Sequence, residues 1–204
     1  MVPIRVPRQM FFAVVVVVAI ACSGGDSDRS TDTSDAHFNT IADDSRPQAF
    51  PVSPEIESSA FSDGESIPSR HTCEGEDVSP GLSWSASTTS ARSVALLVDD
   101  PDAPRGTFTH WIVFDMPPDT TGLTENATVG TAAIVGRNSF GGRTYRGPCP
   151  PSGSPHRYRF TLYYLDFLLA DSEGLTGDSG GGEFLTAIEG HVQAQARFTG
   201  LFGR

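Results

Sequence analysis

Two short segments contain most of the residues whose types and spacing could do chemistry. The first runs from Asp99 to Trp111 and reads D-D-P-D-A-P-R-G-T-F-T-H-W. Carboxylates beside an imidazole can orient the ring and raise its basicity, so Asp100 and Asp102 could act on His110. A capped, Asp-rich turn next to a packed histidine explains the same letters equally well.

The second segment, residues 136–158, is rich in arginine, glycine and proline. No acid occurs between Glu125 and Asp166, whereas five arginines fall between residues 137 and 159. In a chain with a net charge of −11, this composition predicts a locally positive patch. Glycine and proline favour a tight backbone whose N–H groups can point at an anion. A set of solvated arginines on a rigid loop is the alternative interpretation.

Together the two segments resemble the phosphatidylethanolamine-binding protein (PEBP) family, specifically its bacterial branch of Raf-kinase-inhibitor-like proteins. The shared letters are D-P-D-A-P-x-G-x-F-x-H-W in the first segment and G-R-N-S-F-G-G-x-x-Y-x-G-P-C-P-P-x-G-x-x-H-R-Y in the second. The similarity begins near Ala60 and covers nearly the whole domain. It implies a mainly β, β-rich α+β fold in which a large central antiparallel sheet is flanked by a smaller sheet and a C-terminal helix.

The resemblance also implies a pocket that binds phosphate-type anions or phospholipid head groups. It maps onto Asp100, Asp102, His110, Gly147, Pro150, Pro151, His156 and Tyr158. Imidazoles and loop amides would donate to the anion, and Asp100 or Asp102 would orient the imidazoles. Cys149 stands where other branches carry glycine, which could narrow the mouth of the pocket.

No nucleophile with an activating base accompanies these residues, so we predict a binding protein without catalytic residues, cofactor or metal. The alternative is an inhibitor of a protein kinase or peptidase that acts through protein contact, as some relatives do. A hydrolase using His110 with Asp100 is the least favoured reading. G-D-S-G-G at Gly177–Gly181 matches a serine-protease signature, but no suitable upstream histidine segment accompanies it.

Composition excludes several other classes. All 14 basic residues are arginine, and the missing lysine excludes Schiff-base, pyridoxal-phosphate and P-loop chemistry. The excess of acids over bases argues against nucleic acid as a partner. The histidines show no i, i+4 pair and the cysteines no C-x-x-C spacing, which argues against a zinc site.

Three regions follow one another along the chain. Residues 1–21 carry two arginines and then an apolar run too short to span a bilayer, which predicts an export signal. Cys22 follows small residues in a lipobox-like sequence and is the predicted lipidation site, so we expect a lipoprotein of the cell envelope. Residues 22–46 are predicted to be a disordered acidic tether and residues 47–204 the domain. Cleavage without lipid, giving a secreted soluble protein, is the alternative.

Within the domain, strand-like sequences carry the two chemical segments. Arg92–Val98 and Thr109–Asp115 read as buried strands. His156–Leu165 alternates like a half-exposed strand, with Thr161 and Tyr163 on the same face as the arginines. The spacing of Phe184, Ile188 and Val192 predicts a helix over residues 183–198. An oxidising compartment and an even count favour a disulfide between Cys73 and Cys149, although either could be a small core residue.

Overall fold

A computed structural model describes residues 54–86 and 90–204, in which eight strands form two antiparallel sheets. The predicted signal, the lipidation site Cys22 and the remaining residues up to 53 lie outside this range. The strands are β1 (Ile56–Ser58), β2 (Leu82–Trp84), β3 (Ser93–Asp100), β4 (Phe108–Met116), β5 (Gly122–Leu123), β6 (Ile134–Val135), β7 (His156–Leu165) and β8 (Val192–Phe202).

The larger sheet has the order β6-β4-β3-β7-β8, and the smaller one the order β1-β2-β5. All eight residues of β3 are buried because the larger sheet is covered on both faces. Val94, Leu96 and Val98 join the hydrophobic cluster that includes Trp84 of the smaller sheet. Alternate β3 residues join a second cluster on the opposite face. The predicted mainly β architecture, with a large sheet flanked by a smaller one, is confirmed.

Two short helices, α1 (Leu169–Ser172) and α2 (Gly181–Ala187), lie on the second face. Leu169 and Phe184 are fully buried in the second cluster, so these helices complete the layer opposite the smaller sheet. A 3₁₀ helix spans Ser69–His71. No helix within residues 54–86 and 90–204 is long and apolar enough to cross a membrane.

The predicted long C-terminal helix over residues 183–198 is wrong. The helix ends after Ala187, Gly190 adopts a left-handed φ of 83°, and the chain continues as β8 to Phe202. Phe184 and Ile188 do share one buried helical face, but Val192 begins the strand. The backbone N–H and C=O groups of β8 form their hydrogen bonds with β7 instead of within a helix. The helical spacing of three apolar residues could not reveal this distant strand.

The three strands predicted around the chemical segments are present with nearly the expected bounds. The exposure of β7 differs from the predicted half-exposed strand, because only residues near its start have side chains that reach solvent. Thr161 and Tyr163 were expected on the exposed face but are buried, since the second cluster covers that end of the strand. A half-exposed strand therefore describes only the beginning of β7.

Candidate ligand-binding site

The sheet topology brings the two chemical segments together at one end of the larger sheet. β3 runs antiparallel to both β4 and β7, so the last residues of β3 lie beside the first residues of its neighbours. Asp99 stands opposite Thr109 on one side and Arg159 on the other. The DPD turn, the His-Trp pair and the His-Arg-Tyr strand start therefore meet although they are far apart in sequence.

A β-bulge sets the direction of His110. Val98 pairs with Trp111 while Asp99 pairs with Thr109, so the register of β3 and β4 shifts at this point and leaves His110 as the extra residue. Bulges re-aim side chains and are frequent beside functional sites. The ring of His110 packs edge-on against Tyr158, with centroids 5.2 Å apart.

The carboxylates of the DPD turn each bind a different residue of β7. Asp100 accepts a hydrogen bond of 2.7 Å from Nδ1 of His156 through Oδ2, and the amide of Asp102 through Oδ1. Arg157 donates two side-chain hydrogen bonds to Asp102, which lowers the pKa of that carboxyl to about 2. The structure therefore gives Asp100 the expected orienting contact on one of the two imidazoles, that of His156, whereas Asp102 binds an arginine.

His110 is oriented by the backbone and not by the carboxylates named in the sequence prediction. Its Nδ1 lies 2.7 Å from the carbonyl oxygen of Arg146, so Nδ1 carries the hydrogen and Nε2 is left for a ligand. Burial lowers the pKa of His110, while the hydrogen bond to Arg146 and the charge of Asp100 oppose that shift. The imidazole is therefore held neutral more readily than a free histidine.

A cavity of about 270 Å³ lies between these groups. Its polar lining comes from Asp100, His110, His156 and Tyr158. Its apolar lining comes from Ala103, Pro104, Phe108, Phe140, Cys149, Pro150 and Pro151. Six of the eight predicted site residues therefore line one cavity, and Asp102 lines the neighbouring one with Pro151 and His156.

The hydroxyl of Tyr158 is the unusual polar group of this cavity. Tyr158 is only 1% exposed, and its buried hydroxyl has no hydrogen-bond partner within the described residues. Burial raises the pKa of Tyr158, and the nearby charge of Asp100 raises it further. The hydroxyl is therefore a neutral donor. A buried hydroxyl without a partner is costly, and such groups are rare in folded proteins.

Phe140 forms one wall of the cavity and was not among the predicted site residues. Its ring packs edge-on against Phe108 and His110, yet 47% of the residue is exposed. The buried Asn138 holds this loop, because its side-chain oxygen accepts the amides of Phe140 and Gly142 and its nitrogen donates to the carbonyl of Thr144. The N-S-F-G-G sequence is typical of such an Asx turn. It does not show that the turn places Phe140 beside the cavity, because that placement depends on the tertiary structure.

Gly147 serves a different purpose from the one predicted. Its amide donates to Asp77 Oδ1 at 2.6 Å, so it is not available to an anion. A Cβ at this position would overlap the carbonyl of His71, so the glycine permits a close approach of two backbone segments. A disulfide between Cys73 and Cys149 joins the same two segments beside the cavity.

The predicted positive patch is largely offset in the structure, because its five arginines contact four carboxylates. Each of the five arginines contacts a carboxylate: Arg137 and Arg143 contact Asp178, Arg146 contacts Asp77, Arg157 contacts Asp102 and Arg159 contacts Asp99. All four acids lie outside the acid-free interval, so local composition could not reveal the pairs. Among the side chains that line the cavity, the two imidazoles and the Tyr158 hydroxyl are the groups that can donate to an anion.

Comparison with known proteins identifies related sequences along the described domain. A family model described as "Phosphatidylethanolamine-binding protein" matches residues 57–203. The chain is 46% identical over 153 residues to a UPF0098 protein of Methanothermobacter thermautotrophicus, covering 73% of this chain and 98% of that protein. It is 39% identical over 154 residues to a UPF0098 protein of Aquifex aeolicus, covering 74% and 88% respectively.

Two solved structures are similar in fold and sequence. One is a putative phosphatidylethanolamine-binding protein homologue from Chlamydia trachomatis, with a TM-score of 0.67 and 36% identity. The other is YbcL of E. coli, described as a new member of the mammalian PEBP family, with a TM-score of 0.68 and 29% identity. Each comparison covers 74% of this chain and 98% of the other.

Proposed function

Since the chain belongs to the phosphatidylethanolamine-binding protein family, we propose that it is a non-enzymatic protein that binds phosphate-type anions in the cavity between His110, His156 and Tyr158. The anion is a small free phosphate or sulfate-like ion, or the head group of a phospholipid. Both share a tetrahedral anionic group with several acceptor oxygens.

The unpartnered hydroxyl of Tyr158 is the observation that carries this proposal. Its hydrogen-bonding capacity is unused in the described protein, and a bound oxyanion would accept that hydrogen bond. The neighbouring imidazoles each use Nδ1 for a fixed protein contact, His110 with the Arg146 carbonyl and His156 with Asp100. Their Nε2 atoms therefore remain to complete the donor set when the rings are protonated.

The charges of the cavity make anion binding depend on proton uptake. Asp100 offsets the charge of a protonated His156, and burial favours the neutral form of His110. An incoming anion reverses this preference because it stabilises the imidazolium. The apolar walls formed by Phe108, Phe140 and the prolines favour a ligand that carries an organic group beside its anionic end.

Cys149 supports a binding role over catalysis. It lines the cavity, but its sulfur is bonded to Cys73 and is not a thiolate nucleophile. The Tyr158 pKa is raised, which disfavours the phenolate. The polar groups that remain are suited to holding a ligand.

The sequence supports a location at the cell envelope through a lipid on Cys22. An acyl anchor would keep the domain close to phospholipids, the source of one class of proposed ligand. A protein processed without lipid would be secreted and soluble, and would still reach free anions.

The proposal is tested by isothermal titration calorimetry at pH 6 with two probes, inorganic phosphate and glycerophosphoethanolamine. His156→Ala should weaken binding about tenfold or more, since it removes a charge-assisted hydrogen bond. His191→Ala is the control, because that imidazole pairs with Asp166 at the surface. Binding of the ester alone would identify the head group as ligand, and binding of both would identify the phosphate group.

Wild-type protein that binds neither probe would contradict the proposal. If such protein nevertheless inhibited a kinase or peptidase, the alternative function as a contact inhibitor would replace it. Unchanged binding in His156→Ala would show that the anion occupies a different place.

A further inference from the structure

One peptide group connects a carboxylate to the imidazole of His110. The Gly147 N–H of the Arg146–Gly147 peptide donates to Asp77 Oδ1 at 2.6 Å, and the Arg146 carbonyl of the same peptide lies 2.7 Å from His110 Nδ1. The second oxygen of Asp77 lies 3.0 Å from Nε of Arg146. Asp77 therefore contacts both residues of the peptide whose carbonyl holds the ring.

We propose that Asp77 is a positioning residue for His110, acting through the Arg146–Gly147 peptide. It fixes the carbonyl that selects the Nδ1–H tautomer of His110, and so directs Nε2 of the ring to the ligand cavity. Hydrogen bonding of an amide N–H to a carboxylate also polarises the peptide and strengthens its carbonyl as an acceptor. The effect on ligand binding rests on the proposed function, whereas the effect on the tautomer does not.

The backbone at Asp77 supports this role. Asp77 has a left-handed φ of 58°, a conformation that aspartate and asparagine tolerate better than most residues. Its side chain is 22% exposed and is held by two contacts rather than one. Gly147 has no room for a Cβ, because the peptide is pressed against the backbone of His71 and Thr72, which precede Asp77 in the chain.

Other charged groups near His110 are engaged elsewhere. On β3, Asp100 uses its oxygens for His156 and the amide of Asp102, and Asp99 forms a two-point pair with Arg159. On β7, Tyr158 contributes a ring contact. Within the described residues, Nδ1 of His110 bonds to the Arg146 carbonyl, and a backbone hydrogen bond of Gly147 also acts on the imidazole. Both backbone groups belong to Arg146 and Gly147, so the position of this short segment sets the position of the ring.

Two substitutions separate positioning from charge. Asp77→Gly suits the left-handed backbone and removes both side-chain contacts. Asp77→Asn suits the same backbone, removes the charge and keeps an oxygen that can accept the Gly147 amide. Asp178→Asn is the control, because it removes a carboxylate that pairs with two other arginines near the same loop.

The first readout is the tautomer of His110 by ¹⁵N NMR in ligand-free protein. We expect the Nδ1–H tautomer in wild type, Asp77→Asn and Asp178→Asn, and a mixture in Asp77→Gly. The second readout is phosphate affinity at pH 6. It should fall about fivefold in Asp77→Gly, the usual effect of one misplaced hydrogen bond, and stay within about twofold in the other two variants.

An Nε2–H tautomer in wild-type protein would overturn the proposal without any variant, even if Asp77→Gly failed to fold. Wild-type tautomer and affinity in Asp77→Gly would also overturn it. An Asp77→Asn variant as impaired as Asp77→Gly would show that charge, not the hydrogen bond, is responsible. Absence of phosphate binding by wild type would contradict the proposed function alone, since the tautomer would still report on Asp77.

Discussion

The hydroxyl-bearing ring of Tyr158 packs edge-on against the imidazole of His110, with an interplanar angle of 82°. Both residues thus line the cavity: the Tyr158 hydroxyl has no hydrogen-bond partner in the part of the chain that the structure describes, and Nδ1 of His110 is bound to the backbone. A ligand-binding site keeps hydrogen-bonding groups free for its ligand, and these unpaired groups lower the stability of the empty protein.

Tyr158→Phe should stabilise the empty domain and weaken ligand binding. Removing a buried hydroxyl without a partner is expected to raise the free energy of unfolding by about 1 kcal/mol, while phosphate affinity falls. Chemical denaturation and calorimetry at pH 6 measure the two effects. Tyr164→Phe is the matched control on the same strand, because its hydroxyl donates to the Ser85 carbonyl at 2.6 Å.

The control should lose about 1 kcal/mol of stability and keep its affinity. If Tyr158→Phe were instead destabilised with unchanged affinity, the hydroxyl would have a structural role and the central argument for the site would be wrong.

Anion affinity should rise as the pH falls below about 6.5, the ordinary pKa range of histidine. Burial lowers the pKa of His110, so this imidazole favours its neutral form in the empty site and takes up a proton with the anion. The affinity should increase by up to about tenfold per pH unit for one coupled proton. Sulfate is the probe of choice because its charge is constant over this range, unlike that of a phosphate monoester.

The stability of the empty domain should change in the opposite direction. The lowered pKa of His110 means that the unfolded chain binds the proton more tightly than the folded one. The contribution of His110 to the free energy of unfolding is therefore complete above about pH 6.5 and is lost as the pH falls through the folded pKa.

The proton uptake that accompanies anion binding is measured by calorimetric titrations in two buffers of different ionisation enthalpy. A pH-independent sulfate affinity between pH 5 and 8 would exclude the imidazoles as anion ligands.

Reduction of the Cys73–Cys149 disulfide should lower the free energy of unfolding by about 2 to 4 kcal/mol. The bond joins positions 76 residues apart and restricts the unfolded chain. Denaturation with and without dithiothreitol measures the loss, and a Cys73→Ala plus Cys149→Ala variant should not respond to the reductant. Two alkylatable thiols in the unreduced, denatured protein would contradict the pairing.

Gly147→Ala should unfold or strongly destabilise the domain, because the added methyl group would meet the backbone carbonyl of His71, which cannot move aside like a flexible side chain. Gly142→Ala in the same loop is the control, since its Cβ would find only ordinary contacts at 3.7 Å or more. Thermal unfolding compares the two. A Gly147→Ala protein as stable as wild type would show that the close approach of the two segments is not required.

Cys22→Ser should move the protein from the detergent phase to the soluble fraction, or leave the precursor uncleaved, because the acyl chains hold a lipoprotein at the membrane. Detergent phase partitioning and the mass of the processed protein measure both outcomes. A Ser23→Ala variant, with Cys22 intact, controls for altered sequence near the cleavage site. Soluble, processed wild-type protein would favour secretion without an anchor.

The strands around the site were predictable because local patterns reflect burial. The apolar run of residues 92–98 and the alternation of residues 156–165 identified β3 and β7, and the resemblance carried by the two segments identified the family and the mainly β fold. Six predicted site residues, including His110 and Tyr158, line one cavity. The resemblance to the family assigned those residues to a pocket, whereas their types and spacing alone indicated only that a carboxylate could orient an imidazole.

The pairings within the site were decided by the tertiary structure alone. Asp100 is near His110 in sequence but bonds to His156, since the register of β3 against β7 and the bulge in β4 determine which side chains share a face. Asp77 meets the Arg146–Gly147 peptide only because two distant segments pack closely.

Residues 192–202 form the strand β8 where the sequence predicted a helix, because their hydrogen-bond partners lie on β7, far away in the chain. The amino-acid sequence by itself determined which residue types are available, where apolar runs begin and end, and which family the chain resembles. Long-range backbone pairing and close packing determined the partner of each polar group, because those contacts depend on register and distance that no local pattern contains.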